Sequence, residues 1–236
     1  MAGMINFDGV NLESIAPVKI EDIRVAPIQL NPLARQRPVQ FGADFVRMGG
    51  GTRSVTVTFG LLDSDRSNRE EKMQAIRDWA QIGKQCVLKL PQYTDRHLVC
   101  AVTSLPDYSY RKWWEGKLAL GFTCYDNPYW TANTGTVVPC GDSFDVEGSA
   151  PPLVSVDFYN ATPLDATSYS DGVNTMTFTQ IPAGQTVIDF NRQIAAVEGV
   201  SIMPYYVPTS SWIVPKIGAE QAITGEGDLK IFERWV

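Results

Sequence analysis

Only one stretch of this chain carries a clear helical period, and nearly every other apolar run is short and β-like. That contrast confines the fold to a mainly β architecture with one α-helix. In the helical stretch, Ser67 followed by Glu70 gives the spacing of a capping box, which satisfies the orphan amides at a helix start. Met73, Ile76 and Ala80 fall on one face with Trp79 at its border, and Gly83 marks the end. Glu70 and Glu71 are read as first-turn carboxylates that favour the helix dipole, with no further role.

The surest strand of the first half is Arg53 to Leu61. Val55, Val57 and Phe59 alternate with Thr56 and Thr58, so one face is apolar and the other polar. Upstream, Val18 to Leu30 is β-like with an interruption at Pro27, which suggests an edge or a bulge. Asn31-Pro32 signals a turn. Pro38 to Met48 reads as a strand broken by Gly42, and Gly49-Gly50-Gly51 as a loop. After the helix come Gln85–Leu90, His97–Leu105, Tyr108–Trp114 and Lys117–Tyr125, with Glu115-Gly116 as a hairpin turn between the last two. One helix on an antiparallel sheet makes a sensible module.

A Pro-aromatic corner, Asp126-Asn127-Pro128-Tyr129-Trp130, closes this first half. The stretch from Thr131 to Pro152 is rich in turn residues and reads as a linker, although Val137-Val138 could be a short strand. Beyond it lie short strands with Gly, Pro or Asn-rich joints: Leu153–Tyr159, Thr175–Ile181, Thr186–Asn191, Ile194–Val197, Trp212–Val214, Glu220–Thr224 and Leu229–Trp235. Their spacing predicts a second β-sandwich. Charge divides along the same line. Residues 1–130 carry 16 Lys+Arg against 14 Asp+Glu, and residues 131–236 carry 4 against 12. The expected organisation is therefore a domain over 1–132, a linker over 133–152 and a domain over 153–236.

Several chemistries are excluded or left without support. The acidic second half lacks the clustered Lys and Arg that phosphate contacts need. A single histidine, His97, rules out a multi-His metal site, and at the head of an apolar strand it reads as structural or solvent-facing in place of a general base. Cys86, Cys100, Cys124 and Cys140 form no CxxC pair, so no zinc site is expected, and the first three sit in apolar runs as small buried hydrophobes. No Asp-x-Asp-x-Asn-Gly calcium loop occurs, and Gly49-Gly50-Gly51 lacks the Lys-Ser/Thr of a phosphate loop. No catalytic residue, cofactor or metal is expected. Met1 to Asp8 does not read as a signal peptide, and no apolar run approaches the roughly 18 residues of a membrane helix, so the expectation is a soluble protein made in a cytoplasm.

The aromatics are the better lead. Adjacent strand residues point to opposite faces, so one of Trp113 and Trp114 faces a core and the other faces outward or into a partner. Tyr110, Arg111, Tyr129 and Trp130 join them as candidate interface residues, since exposed aromatics fill protein interfaces or stack on sugars. Three pieces then appear in a set order: Val55 to Phe59, the helix from Met73 to Trp79, and Leu98 to Val102. Phe122 to Tyr129 closes the series, with an aromatic and Cys124 ahead of the Asp-Asn-Pro-aromatic corner. This order resembles the N-terminal domain of siphophage distal tail proteins over residues 1 to about 130. The ending, Asp228 to Val236, also looks like the closing strand of such proteins.

The resemblance implies a structural virion protein at the tail tip, made in the host bacterial cytoplasm. Its N-terminal β-sandwich-plus-helix domain would act as a belt that forms a hexameric ring. One side of the ring would meet the tail tube protein and the other the tail-associated hub protein, and genomic DNA would pass through without specific binding. The C-terminal domain would be a galectin-like β-sandwich that can dock receptor-binding proteins. True galectins use a histidine-containing sugar pocket, and residues 131–236 contain no histidine. Protein docking is thus expected there in place of lectin activity. The competing reading is a carbohydrate-binding β-sandwich protein that uses Trp113, Trp114, Trp130, Tyr205, Tyr206 or Trp212. A hydrolase would have to work with carboxylates alone.

Overall fold

The computed structural model describes residues 4–29, 32–36, 43–48, 51–62, 66–81, 83, 85–106 and 117–236. The fold is mainly β, as the short apolar runs imply. It divides into two compact units, Met1–Trp130 and Thr131–Trp235.

In the first unit, β1 (Asn6–Phe7), β2 (Val10–Asn11) and a one-turn helix α1 (Leu12–Ile15) precede β3 (Val18–Val25). A hairpin of β4 (Pro32–Gln36) and β5 (Ala43–Met48) follows, then β6 (Arg53–Leu61), α2 (Arg66–Ala80), β7 (Gln85–Lys89), β8 (Arg96–Ser104) and β9 (Leu118–Cys124). One antiparallel sheet runs β3-β6-β9-β8-β7-β1-β2. β6 shows why the alternation in its sequence matters. Val55, Val57 and Phe59 are fully buried, while Ser54 and Thr56 are exposed. α2 lays Met73, Ile76 and Ala80 into the same core. Trp79 borders that face. Its ring meets Phe7 edge-on at 5.9 Å and its indole N–H donates to the carbonyl of Val10 at 3.3 Å.

The helix departs from the capping expectation. It starts at Arg66, so Ser67 lies inside the first turn and Glu70 and Glu71 lie beyond it. At the other end Gln81, with φ 42°, already takes the left-handed conformation, and Gly83 with φ 86° follows in the turn. The expected strand Tyr108–Trp114, its turn at Glu115-Gly116, and the Pro38–Gly42 end of the strand before the triple glycine lie outside the described residues.

β10 (Trp130–Ala132) sits at the boundary in sequence. The second unit comprises β11 (Thr136–Pro139), β12 (Ser143–Val146), β13 (Ala150–Asn160), β14 (Leu164–Ser170), β15 (Thr175–Ile181), β16 (Gly184–Asp189), β17 (Ile194–Val197), β18 (Val200–Ser201), a 3₁₀ turn (Met203–Tyr205), β19 (Gly218–Ala222) and β20 (Asp228–Trp235). Its main sheet runs β18-β17-β16-β13-β20-β11, all antiparallel. The β14–β15 hairpin and the long-range antiparallel pair β12–β19 complete it. Inward residues of the two groups share one core. Val154, Val156, Ile188, Val197, Leu229 and Ile231 come from the main sheet, and Phe144, Tyr169, Met176 and Phe178 from the pairs. Period-2 alternation against a shared interior is the logic of a sandwich.

The segment expected as a linker is a correction. Residues 133–152 contain β11 and β12, each paired with a strand from the far end of the chain. Turn residues there mark the ends of short strands, and the partners β20 and β19 supply the ladders that their own composition does not announce. Trp212–Val214, expected as a strand, is irregular.

Close approach explains one glycine in this region. A Cβ on Gly148 would lie 2.4 Å from the backbone oxygen of Arg234 and 3.0 Å from its nitrogen. Backbone cannot step aside as a side chain can. Gly148→Ala should therefore destabilise the protein by about 2 kcal/mol or more, read as a lower urea midpoint, because the strand must shift to admit the methyl group. An unchanged midpoint would contradict this packing.

Candidate interaction surface

The Pro-aromatic corner is built from the end of β9 and the loop before β8. Asn127 accepts a hydrogen bond from the Tyr129 backbone N–H at 3.3 Å, which closes the turn ahead of Pro128. Tyr125 and Asp126 are exposed, Tyr129 is half-buried and Pro128 is buried. Trp130 is buried as well, at 5% exposure. Its ring lies 4.3 Å from that of Tyr93, tilted by 44°. Arg96 reaches over the other ring in turn, with its guanidinium carbon 5.9 Å from the Tyr93 centroid. The same Arg96 pairs with Asp95 at 2.8 Å and, through that hydrogen bond, holds the Asp95 carboxyl below its ordinary range.

The corner thus carries a polar and aromatic rim: Tyr125, Asp126, Asp95, Arg96 and the edge of Tyr129. Trp130 acts from beneath it as the anchor that fixes Tyr93. Beside it, a groove of about 430 Å³ is lined by Met4, Asn6, Gly9, Lys89, Pro91 and Tyr93. Of the six candidate interface residues, the structure brings Tyr129 and Trp130 together at this corner. Tyr110, Arg111, Trp113 and Trp114 lie outside the described residues. Sequence reasoning missed Tyr93 and Arg96. The Pro91-Gln92-Tyr93-Thr94-Asp95-Arg96 loop did carry a signal, an aromatic beside an adjacent Asp-Arg pair.

Arg53, at the start of β6, is 4% exposed. Its Nε and Nη1 have no hydrogen-bond partner among the described residues. Burial pushes its guanidinium down from the ordinary value, opposed chiefly by Cys124 and then by Tyr93 and Tyr129. His97 lies half-buried on β8 and adjoins no cluster of metal-binding side chains among the described residues.

In the second unit the aromatics named for sugar stacking are mostly engaged with one another. Tyr206 stacks on Trp212 at 5.3 Å and 21°, meets Phe178 edge-on, and donates its hydroxyl to Ser210 O at 2.8 Å. Tyr205 is exposed on the rim of a groove of about 410 Å³, with Pro182, Val197, Glu198, Val200 and Pro204. Among the described residues, no helix is long and apolar enough to cross a membrane.

Neither a family model nor a curated protein matches this sequence. Solved structures do match. The chain superposes on the SPP1 Dit (gp 19.1) protein, a paradigm of hub adsorption apparatus in Gram-positive infecting phages, with a TM-score of 0.74 and 14% identity over 100% of both chains. It also matches a chain of the phage P2 baseplate in its activated conformation with Ca, with a TM-score of 0.55 and 9% identity over 99% of this chain and 98% of that one. The phage p2 baseplate with Sr gives 0.54 and 8% over 98% and 96%. The likeness to distal tail proteins drawn from the order of elements extends to both units: from end to end, this chain has the fold of the SPP1 Dit protein.

Proposed function

We propose that this chain is a structural subunit of a phage tail tip, a distal tail protein that assembles as a hexameric ring. In this reading the ring joins the tail tube to the tail-associated hub protein, and the galectin-like second unit docks host-adhesion proteins. The chain performs no catalysis there, and genomic DNA passes through the ring without specific contacts. The carrying observation is the match of both units, over the full length of each chain, to one hub protein. A shared single fold would be weaker support, because β-sandwiches serve many functions. A match in the order and content of two successive units is harder to reach by chance.

The charge division supports the same reading. Ring closure needs unlike patches that meet around an axis. A first unit with nearly balanced charge and aromatic corners suits burial against neighbours. The second unit carries 12 acidic against 4 basic residues, so like copies disfavour clustering with one another. Electron-microscopy class averages of the purified protein should show ring views with sixfold symmetry. Single particles without rotational symmetry at high concentration would count against the ring.

Trp113 and Trp114 provide a mutational test. Replacing both with Ala should shift the ring toward monomer by about 2 kcal/mol or more, as central aromatics of an interface do, with a smaller change in the melting point of the monomer. Parallel loss of oligomer and of folded monomer would remove these residues from the interface. The carbohydrate-binding reading retains one favourable feature, the exposed Tyr205 at its groove. A glycan array probed with the full chain separates the two: silence fits docking, and a specific glycan signal lost in Tyr205→Ala favours sugar binding.

A further inference from the structure

The first unit holds a row of four buried side chains, Cys86, Cys100, Cys124 and Arg53. β7, β8, β9 and β6 are successive neighbours in its sheet. Cys86 stands opposite Cys100 across the first pair. The register that sets Ala101 opposite Thr123 brings Cys100 opposite Cys124 across the second. Cys124 stands opposite Arg53 across the third. All four face the core: Cys100 and Cys124 are 0% exposed, Arg53 4% and Cys86 7%.

Arg53 is the unusual member. A buried cation ordinarily meets a carboxylate, because leaving it unpaired is costly. Here the guanidinium has two nitrogens without hydrogen-bond partners among the described residues. Among the described residues, the groups that act on its charge are Cys124, Tyr93 and Tyr129, none of them a carboxylate. Cys124 is correspondingly held below the ordinary thiol value, first by a hydrogen bond from Cys100 and also by the charge of Arg53, against the effect of burial. The same hydrogen bond, with burial, pushes Cys100 up.

We propose that Cys100 and Cys124 form an oxidisable pair, a modification site in which Arg53 is the counter-ion of a Cys124 thiolate and a small peroxide is the co-reactant. The Cys124 sulfur attacks one peroxide oxygen. The O–O bond breaks, Cys124 becomes a sulfenic acid, and the departing hydroxide is neutralised by the proton that Cys124 had released. The Cys100 sulfur then displaces the hydroxyl from Cys124 as water, with the Cys100 proton completing that water. Two thiols lose two electrons and two protons, and the peroxide becomes two waters. A peroxide suits a buried pair because it is small and uncharged.

Geometry permits the product. Residues directly opposite in an antiparallel pair lie about 4.5–5.5 Å apart at Cα, inside the roughly 4.4–6.8 Å range of disulfides. Cys86 is opposed to Cys100 in the same way, so placement alone would allow either bond. The position of Arg53 beside Cys124 selects the β8–β9 bond, because the thiolate is the reactive form. Cys140 is a natural contrast. Burial and the charges of Asp228 and Glu226 push its thiol up to about 11, so it stays protonated at neutral pH.

The test exposes the folded full-length protein to hydrogen peroxide, followed by unfolding in an alkylating agent and peptide mapping. The expected product is a Cys100–Cys124 disulfide, with Cys86 and Cys140 alkylated. Cys100→Ser should stop at a Cys124 sulfenic acid that a 1,3-dione probe traps. Arg53→Met should slow disulfide formation about tenfold through loss of thiolate. A Cys86–Cys100 bond, or oxidation of the pair only after unfolding, would overturn the proposal. An unchanged rate in a folded Arg53→Met protein would remove Arg53 from it. If that variant does not fold, trapping at Cys124 in Cys100→Ser carries the decision. The readout is a covalent link within one chain, so it stands or falls apart from the oligomeric state.

Discussion

Phe122→Ala should cost the first unit about 3–5 kcal/mol, the range for removing a large aromatic from a well-packed core. Phe122 lies in β9, in the middle of the sheet, with Val55 of β6 and Val102 of β8 opposite it. Its side chain is 1% exposed, and its ring centroid is 5.4 Å from that of Phe7 on β1. One ring therefore ties the strand beside the Pro-aromatic corner to the N-terminal edge of the sheet. Strands held by backbone ladders alone cannot close the gap that its removal leaves. Urea unfolding should show an early transition for this unit with its slope unchanged. A loss below about 1 kcal/mol would mean that the site collapses or that Phe122 is not central to the core.

The matching experiment in the second unit is Tyr169→Ala, with an expected cost of about 3–5 kcal/mol. Tyr169 is fully buried on β14, and its ring meets Phe190 edge-on at 6.2 Å. Its hydroxyl donates to the carbonyl of Glu226 at 3.1 Å. The hydroxyl separates packing from hydrogen bonding. Tyr169→Phe keeps the ring and strands only the acceptor, so it should cost about 1–2 kcal/mol. Equal losses in the two variants would place the stabilisation in the hydrogen bond. A loss confined to Ala would place it in packing alone.

The parts of the fold that are legible in the sequence are those whose signal is local. β6 alternates from Ser54 to Phe59 and β15 from Thr175 to Thr179, β17 is a short apolar run between turn residues, and the structure gives all three the expected bounds. α2 was legible from Met73, Ile76 and Ala80, because three residues at helical spacing have few other uses. β14 was not. Leu164 to Ser170 reads as polar, since only Thr167 and Tyr169 of its residues are buried. β11 and β12 read as a linker for a related reason: their partners, β20 and β19, lie far along the chain, and a short strand borrows its stability from such a partner.

The candidate surface divides in the same way. The turn at Asn127-Pro128 was local and legible. That Trp130 would be an anchor under Tyr93 depended on a loop more than 30 residues upstream in sequence. Arg53 was half legible. The alternation that buries Val55, Val57 and Phe59 also puts Arg53 on the core face, and a charged residue on that face is itself a signal. Its alignment with three cysteines depends on the register of four strands, which no single segment encodes.

In the proposed function, six copies of this chain close a ring. The most direct test is the mass of the purified full-length protein in solution, by native mass spectrometry or light scattering across a range of concentrations. A closed ring of six gives a species of six times 26.1 kDa that dissociates toward monomer on dilution without stable open-ended intermediates. A monomer at every concentration, or a defined oligomer of another number, would contradict a ring that forms from this chain alone.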